Sequence, residues 1–340
     1  MKTTPILLAA LLTLAPTLLR AQDNAPPFAE PNFLLPADPD ASDYRPVLNA
    51  QGDTVVYERT FAGTSATQLY YATIPNGTPQ PFTNLGESTR ADWCWNRSAG
   101  GLTSGPVAFA SDDGIYVVAG PGAAGAALPG TAGMIYPSWY PDCKYLAVDV
   151  SGVQVTAKID LTGKTAISPL ANDRIWAGFP SVNQANPNLV AFAGQNNEES
   201  NYYNEDLNYV WVTDRSRPRP TVEPLERNAP KGSAFLQKFQ GRAGWWSPDG
   251  KWYAFESNRI CNEVDGMTYA VFIEDAAGTR PPMQVTDCSK WNVQHPKWFP
   301  PGAMGGKPSL IAAVAVASTG AKSEPFAIAS FDVSAFVTGH

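Results

Sequence analysis

Cationic and aromatic side chains have the greatest chemical reach in this sequence. Arg45, Arg90, Arg242 and His295 each stand shortly before a recurring Trp or Leu, and Asp92 and Tyr136 sit in the same stretch of other copies. Guanidinium groups grip carboxylates through two parallel hydrogen bonds, and tyrosines add an apolar face with a polar tip. Together they suit an acidic peptide or a polar ligand. They suit equally well a solvated lining around a water-filled channel. Nucleophilic hydrolysis needs a serine elbow and a histidine partner, and no Gly-x-Ser-x-Gly is present. The only histidines are His295 and His340, and no Cys-x-x-Cys occurs, so no metal site is expected. Asp and Glu are abundant, but nothing selects two of them as a glycosidase pair. Phosphate loops and dinucleotide fingerprints are missing, so neither catalytic residues nor a cofactor is expected.

The elements that must position these residues are strands. The chain has 340 residues, 44% hydrophobic and 16% charged, with a net charge of −7. An acidic chain gains nothing from counterion release, which argues against nucleic acid as a partner. Lys2, the apolar run Ile6 to Leu19 and Leu19-Arg-Ala21 read as a secretory signal over residues 1–21. That run is too short to span a bilayer, and no later segment is long and apolar enough to do so. Residues 22–42, rich in Pro and Asp, read as an extended arm, leaving 43–340 for the folded body.

Within that body one phrase returns six times, aligned on Leu48, Trp95, Trp139, Val182, Trp246 and Trp298, roughly 45 to 65 residues apart. Four copies carry Pro two positions earlier, at Pro46, Pro137, Pro180 and Pro296. Each anchor is followed by turn-forming residues and an apolar strand, and most units continue with two more short strands. The expectation is an all-β fold, a six-bladed β-propeller of four-stranded antiparallel blades without helices. The turn Asn96 to Gly105 in the second unit reads as an insertion. The arm near Asn32–Leu35 is expected to pair in the sixth blade and close the ring, with Ala335–Thr338 as the alternative. Trp anchors are expected to pack between blades, and Asp142 and Asp249 to cap turns.

Trp246-Ser-Pro-Asp-Gly-Lys-Trp-Tyr-Ala-Phe-Glu-Ser-Asn-Arg259 resembles the core of the TolB-type propeller repeat. Pro137-Ser-Trp-Tyr-Pro-Asp-Cys-Lys-Tyr-Leu-Ala-Val148 is a second copy, and His295-Pro-Lys-Trp-Phe-Pro300 a truncated third. The resemblance covers roughly Asp43 to Val333. It implies a binding role rather than an activity, because the same fold also serves as receptor domain, peptidase gate and sugar-enzyme scaffold. The repeats use almost everything after the arm, so neither a separate hydrolase domain nor the α/β domain that precedes the TolB propeller is expected.

A four-stranded meander sends its a–b and c–d turns to one face and its b–c loops and blade connections to the other. Cys261 and Cys288 fall on the second face, Cys94 and Cys143 on the first. A disulfide needs Cα atoms within ~7 Å, whereas a five-residue strand separates the faces by ~16 Å. The favoured pairs are therefore Cys94–Cys143 and Cys261–Cys288, with oxidation plausible in an exported chain. The loop Gly194–Asp206, with Tyr202 and Tyr203, and the connection Glu226–Gln240 fall on the Cys261/Cys288 face. So do Tyr44, Arg45, Arg90, Asp92, Tyr136, Phe179, Arg242, Gln294 and His295, around the channel mouth. The functional expectation is a non-catalytic, periplasmic or secreted protein that holds a protein or peptide partner of the cell envelope at this mouth. The alternative is a secreted carbohydrate-active enzyme with a polysaccharide substrate.

Overall fold

The computed structural model describes residues 26–98, 101–150, 155–161, 168–169, 175–196, 209–216, 221–224, 241–259, 261, 268–316 and 325–337. These residues are all-β apart from a 3-10 turn at Met304–Gly306 and one short helix. β1 (Asn32–Phe33) comes first in the chain but joins the last sheet. Sheet one holds β2 (Ala41–Leu48), β3 (Thr54–Phe61), β4 (Thr67–Thr73) and β5 (Gln80–Pro81). Sheet two holds β6 (Thr89–Ser98), β7 (Gly101–Ser111) and β8 (Gly114–Val118). Sheet three holds β9 (Met134–Trp139), β10 (Tyr145–Val150), β11 (Val155–Asp160) and β12 (Ser168–Pro169). Sheet four holds β13 (Ile175–Val182), β14 (Leu189–Asn196), β15 (Tyr209–Asp214) and β16 (Thr221–Pro224). Sheet five holds β17 (Gly241–Trp246), β18 (Trp252–Ser257), β19 (Ala270–Asp275) and β20 (Met283–Gln284). Sheet six runs β21 (Val293–Trp298), β22 (Ser309–Ala315), β23 (Phe326–Asp332) and then β1.

The second strand of each sheet is apolar on both faces because successive residues serve different neighbours. Val55 and Tyr57 pack toward sheet six, with Ile311 and Ile328. Val56, between them, packs toward sheet two, with Val107 and Phe109. Ala108 and Ala110 in turn meet Leu146 and Val148 of sheet three. Sheets three and four share Ala147, Val182 and Val190. Sheets four and five share Ala191, Trp246 and Phe255, and sheets five and six Ala254, Trp298 and Leu310. An apolar layer thus fills every gap between consecutive sheets, including the gap between the last and the first.

The tryptophan anchors fasten neighbours as well as pack between them. Trp95 donates its indole N–H to Leu48 O at 2.7 Å, and Trp139 to Asp92 O at 3.1 Å. Trp246 donates to Ser181 O and Trp298 to Trp245 O, each at 3.0 Å. Each bond runs back to the first strand of the preceding sheet. Asp249 accepts from the Lys251 amide at 3.1 Å and Asp142 from the Lys144 amide at 3.0 Å, the turn caps expected of them.

Sheet two, the Asn96–Gly105 turn and the loop from Gly194 differ from expectation, whereas the arm pairs in sheet six as expected. Sheet two has three strands, not four. The chain after β8 is rich in Gly, Ala and Pro, and only Ala127 bridges back, to Tyr116. Asn96 to Gly105 is not an inserted turn, because β6 and β7 continue as one long hairpin with Ser98 opposite Gly101. The last described residues form a helix, α1 (Ser334–Val337), so the closing strand is β1, with Asn32 opposite Ser330 and Phe33 opposite Ala329. Gly194 to Asn196 belong to β14 rather than to a loop. Residues 1–21, Tyr202, Tyr203 and the connection 226–240 lie outside the described residues. No described helix is long and apolar enough to cross a membrane.

Candidate functional site: a ring of six bulges

The first strand of every sheet carries the same irregularity. The register slips between Tyr44/Val47, Thr89/Asp92, Gly178/Ser181, Arg242/Trp245 and Gln294/Lys297, and in sheet three between Ile135 and Ser138. Two residues there oppose one on the second strand, which is a β-bulge. The first bulge residue is left-handed in all six cases: Arg45 at φ 46°, Arg90 at 54°, Tyr136 at 52°, Phe179 at 53°, Ala243 at 49° and His295 at 54°. None is glycine, so each costs about 1–2 kcal/mol of backbone strain. The second bulge residue is proline at positions 46, 137, 180 and 296. Proline lacks the N–H that a continuous ladder would need, and bulges are among the few places in a sheet that accept it.

These six strained residues, one per sheet, all line a single cavity of about 450 Å³. Arg45 lies over the rings of Tyr44 and Tyr136, with its Cζ 4.9 and 5.7 Å from their centroids. Arg90 lies over Tyr136 at 4.7 Å, and Tyr136 and Phe179 meet at 4.2 Å between centroids. Arg242 sits between Tyr269 at 4.9 Å and Phe179 at 5.9 Å. Tyr44 bonds Gln294 through its hydroxyl and packs edge-on against His295. The structure therefore gathers Arg45, Arg90, Tyr136, Arg242 and His295 around one mouth. Asp92 lies deeper. There it meets Lys297 of sheet six, Nζ to Oδ1 3.3 Å, with Lys297 stacked over Trp245 at 3.4 Å. Burial pushes the Asp92 carboxyl up and the Lys297 ammonium down.

Opposite the bulges, the second strands alternate in a way the sequence did not announce. The residue paired with the last position before each bulge is Glu58, Ala110, Asp149, Ala193, Glu256 and Ala313 in sheets one to six. Odd sheets carry an acid and even sheets alanine. Each acid accepts the backbone N–H of the next sheet's bulge residue: Glu58 from Arg90 at 2.6 Å, Asp149 from Phe179, and Glu256 from His295 at 2.6 Å. Two of them also hold a guanidinium, Glu58 that of Arg45 at 2.6 Å and Glu256 that of Arg242 at 2.8 Å. The strained backbone of even sheets is thus bonded to carboxylates of odd ones. Arg90 is different: among the described residues no carboxylate oxygen lies within ion-pair range of it, and its near bond is to Thr89 Oγ1 at 3.2 Å.

Asp149 has no guanidinium bound to it, and burial pushes its carboxyl up to about 7 against the pull of Arg90 and the Phe179 N–H. A carboxyl raised in the folded state makes the protein lose stability as pH climbs from the ordinary carboxylate range through 7. Asp149→Asn keeps an acceptor for the Phe179 amide and removes the charge. We expect the variant to match the parent at pH 4 and to melt several degrees higher at pH 8. The gain corresponds to up to about 4 kcal/mol, and thermal melts across that range measure it. His295 moves the other way: burial, followed by Arg45, Arg242, Lys297 and Arg90, holds its imidazole well below the usual range.

The cysteines pair as Cys94–Cys143, joining sheets two and three, and Cys261–Cys288 within sheet five, with Cα separations of 5.9 and 5.8 Å. Among the described residues no three His, Cys, Asp or Glu side chains are placed to share a metal ion.

Compared with solved structures, the chain is similar to a putative TolB from Agrobacterium tumefaciens, at TM-score 0.52 and 13% identity, covering 72% of this chain and 80% of that one. It is similar at TM-score 0.52 and 17% identity to TolB from Acinetobacter baumannii, covering 83% of this chain and 64% of that one. The fold is a TolB-like propeller. An oligogalacturonate lyase from Vibrio parahaemolyticus matches at TM-score 0.50 and 10% identity, over 90% of this chain and 97% of that one. The chain thus spans about two thirds of the Acinetobacter TolB and nearly all of the lyase. At these identities the likeness is one of fold alone. No sequence family and no curated protein matches the chain.

Sequence reading missed Lys297, Glu58, Asp149 and Glu256. Its best available signal was Lys297 itself, a cation placed directly before the Trp298 anchor. Other copies carry Val47, Cys94, Ser138, Ser181 or Trp245 there.

Proposed function

We propose that this chain is an exported, six-bladed propeller that binds rather than catalyses. It holds an acidic segment of a protein or peptide partner of the cell envelope at the channel mouth. The observation that carries this reading is Arg90, a guanidinium seated on an aromatic face beside two further arginines and lacking an acidic partner among the described residues. Two disulfides suit an oxidising compartment, and the TolB-like fold suits a binding module. Arg45 and Arg242 are weaker targets for a test, because alanine at either position strands a buried carboxylate. Arg90→Ala does not. We expect Arg90→Ala to weaken binding of an acetylated, amidated hexaglutamate roughly tenfold or more, with only a small loss of melting temperature, from the Asp149 carboxyl it no longer attracts. Equal binding by parent and variant would remove the proposal.

A second reading is a secreted carbohydrate-active enzyme. The aromatic faces of Tyr136 and Phe179 beside three arginines would also receive an acidic sugar, and the fold is shared with an oligogalacturonate lyase. Incubation with a panel of polysaccharides, oligogalacturonate included, separates the two readings: turnover of any one would replace binding by catalysis.

A further inference from the structure

Side chains from facing sheets span the space behind the mouth. Its inner end is crossed by the ion pair between Lys297 of sheet six and Asp92 of sheet two. Beyond that pair the β6–β7 hairpin runs from wall to wall. The Arg97 amide donates to Pro141 O of sheet three at 3.4 Å, and its guanidinium reaches Pro248 O of sheet five. On the other side Ser104 Oγ accepts from the Ala50 amide of sheet one at 3.0 Å. These crossings favour a chain end over a threaded segment at the mouth.

Around the mouth lie buried nitrogen atoms with no hydrogen-bond partner among the described residues: Arg45 Nε, Arg90 Nε and His295 Nε2. Buried polar atoms are nearly always satisfied, so the two guanidinium N–H groups point to a missing acceptor, and His295 Nε2 to a further missing partner. His295 is 6% exposed. Its Nδ1 side faces Glu256 Oε2 at 3.8 Å, leaving Nε2 on the opposite edge of the ring. Apolar surface from Tyr136, Phe179 and Trp245 completes the lining.

We propose that the mouth is a socket for a chain end: the terminal carboxylate of a peptide sits against Arg90 and His295, and the last side chain packs on Tyr136 and Phe179. This rests on the peptide-binding reading above and narrows it from an acidic segment to a free C-terminus. The test uses three labelled peptides and the full chain: acetyl-Gly-Ser-Gly-Ala-Phe as the free acid, the same sequence as its amide, and acetyl-Gly-Glu-Glu-Glu-Gly amide. We expect the free acid to bind at least tenfold more tightly than its amide by fluorescence anisotropy. Arg90→Gln, and His295→Asn (a residue that tolerates the left-handed backbone), should each cut that preference to about twofold or less. Equal binding of acid and amide would overturn the socket, as would a preference unaltered in both variants. If only the internal glutamate peptide binds, the socket falls and the broader peptide reading stands. If none of the three binds, both fall. The acid-to-amide ratio on the unaltered chain decides the matter even if a variant folds poorly.

Discussion

Glu256→Ala should lower the melting temperature by about 10 °C, the largest effect we expect from any single side chain near the mouth. Glu256 is 0% exposed and accepts from Arg242 Nε and from the His295 backbone amide, tying sheet five to sheet six. Its removal leaves a partly exposed guanidinium and a strained N–H without an acceptor, a loss of up to about 3–5 kcal/mol, the figure for a fully buried pair. Glu256→Gln keeps an oxygen for the His295 amide and should fall between parent and alanine variant. Arg242→Ala makes the complementary error by leaving the carboxylate alone. Burial already raises the Glu256 carboxyl despite Arg242, and without Arg242 it rises further. A carboxyl raised in the folded state costs stability as pH rises through its folded value. The Arg242→Ala penalty should therefore be greater at pH 8 than at pH 5. Melts that drop equally at both pH values, or not at all, would show that the acid is not under the burial described.

The second large effect belongs to the closing strand. Leu34 and Leu35 are 3% and 2% exposed, packed with Ile328 and Tyr57 between the last and first sheets. The Leu34 amide bonds Ile328 O at 2.9 Å, and the Asn76 amide returns to Leu34 O at 2.8 Å, so one residue joins sheet six to sheet one. Leu34→Ala and Leu35→Ala should each destabilise by about 2–5 kcal/mol. Removing residues 22–35 should do more, because it strips β23 of its partner and bares a sheet edge that other chains can join. We expect that variant to elute from size exclusion as aggregate rather than monomer. A soluble monomer with the parental melting curve would mean that the clasp is dispensable.

Much of this architecture was legible because its signals repeat. Pro46, Pro137, Pro180 and Pro296 mark the second bulge residue, and the anchors two positions on, Leu48, Trp139, Val182 and Trp298, end those four first strands. The pairing of the four cysteines followed from which face each turn or loop occupies. The missing strand of sheet two was not legible, because a Gly- and Ala-rich stretch carries no strand signal of its own and its pairing depends on neighbours. Nor was the Lys297–Asp92 contact, between residues far apart in sequence that meet only across the central cavity. The bulges were half visible. Proline flagged four of them, but Arg90 and Ala243 precede Ala and Gly, and nothing local declares a left-handed arginine. The carboxylates Glu58, Asp149 and Glu256 looked like ordinary strand residues, since each acts on a backbone amide one repeat later.

The alternation of acid and alanine on the second strands also restricts how such a molecule can change size. Going round the six sheets, the pattern returns to its starting residue type without a fault. Gain or loss of a single repeat would set two carboxylates, or two alanines, side by side. Only an even count of sheets preserves the alternation, so sheets added or removed in pairs are the change of size it tolerates.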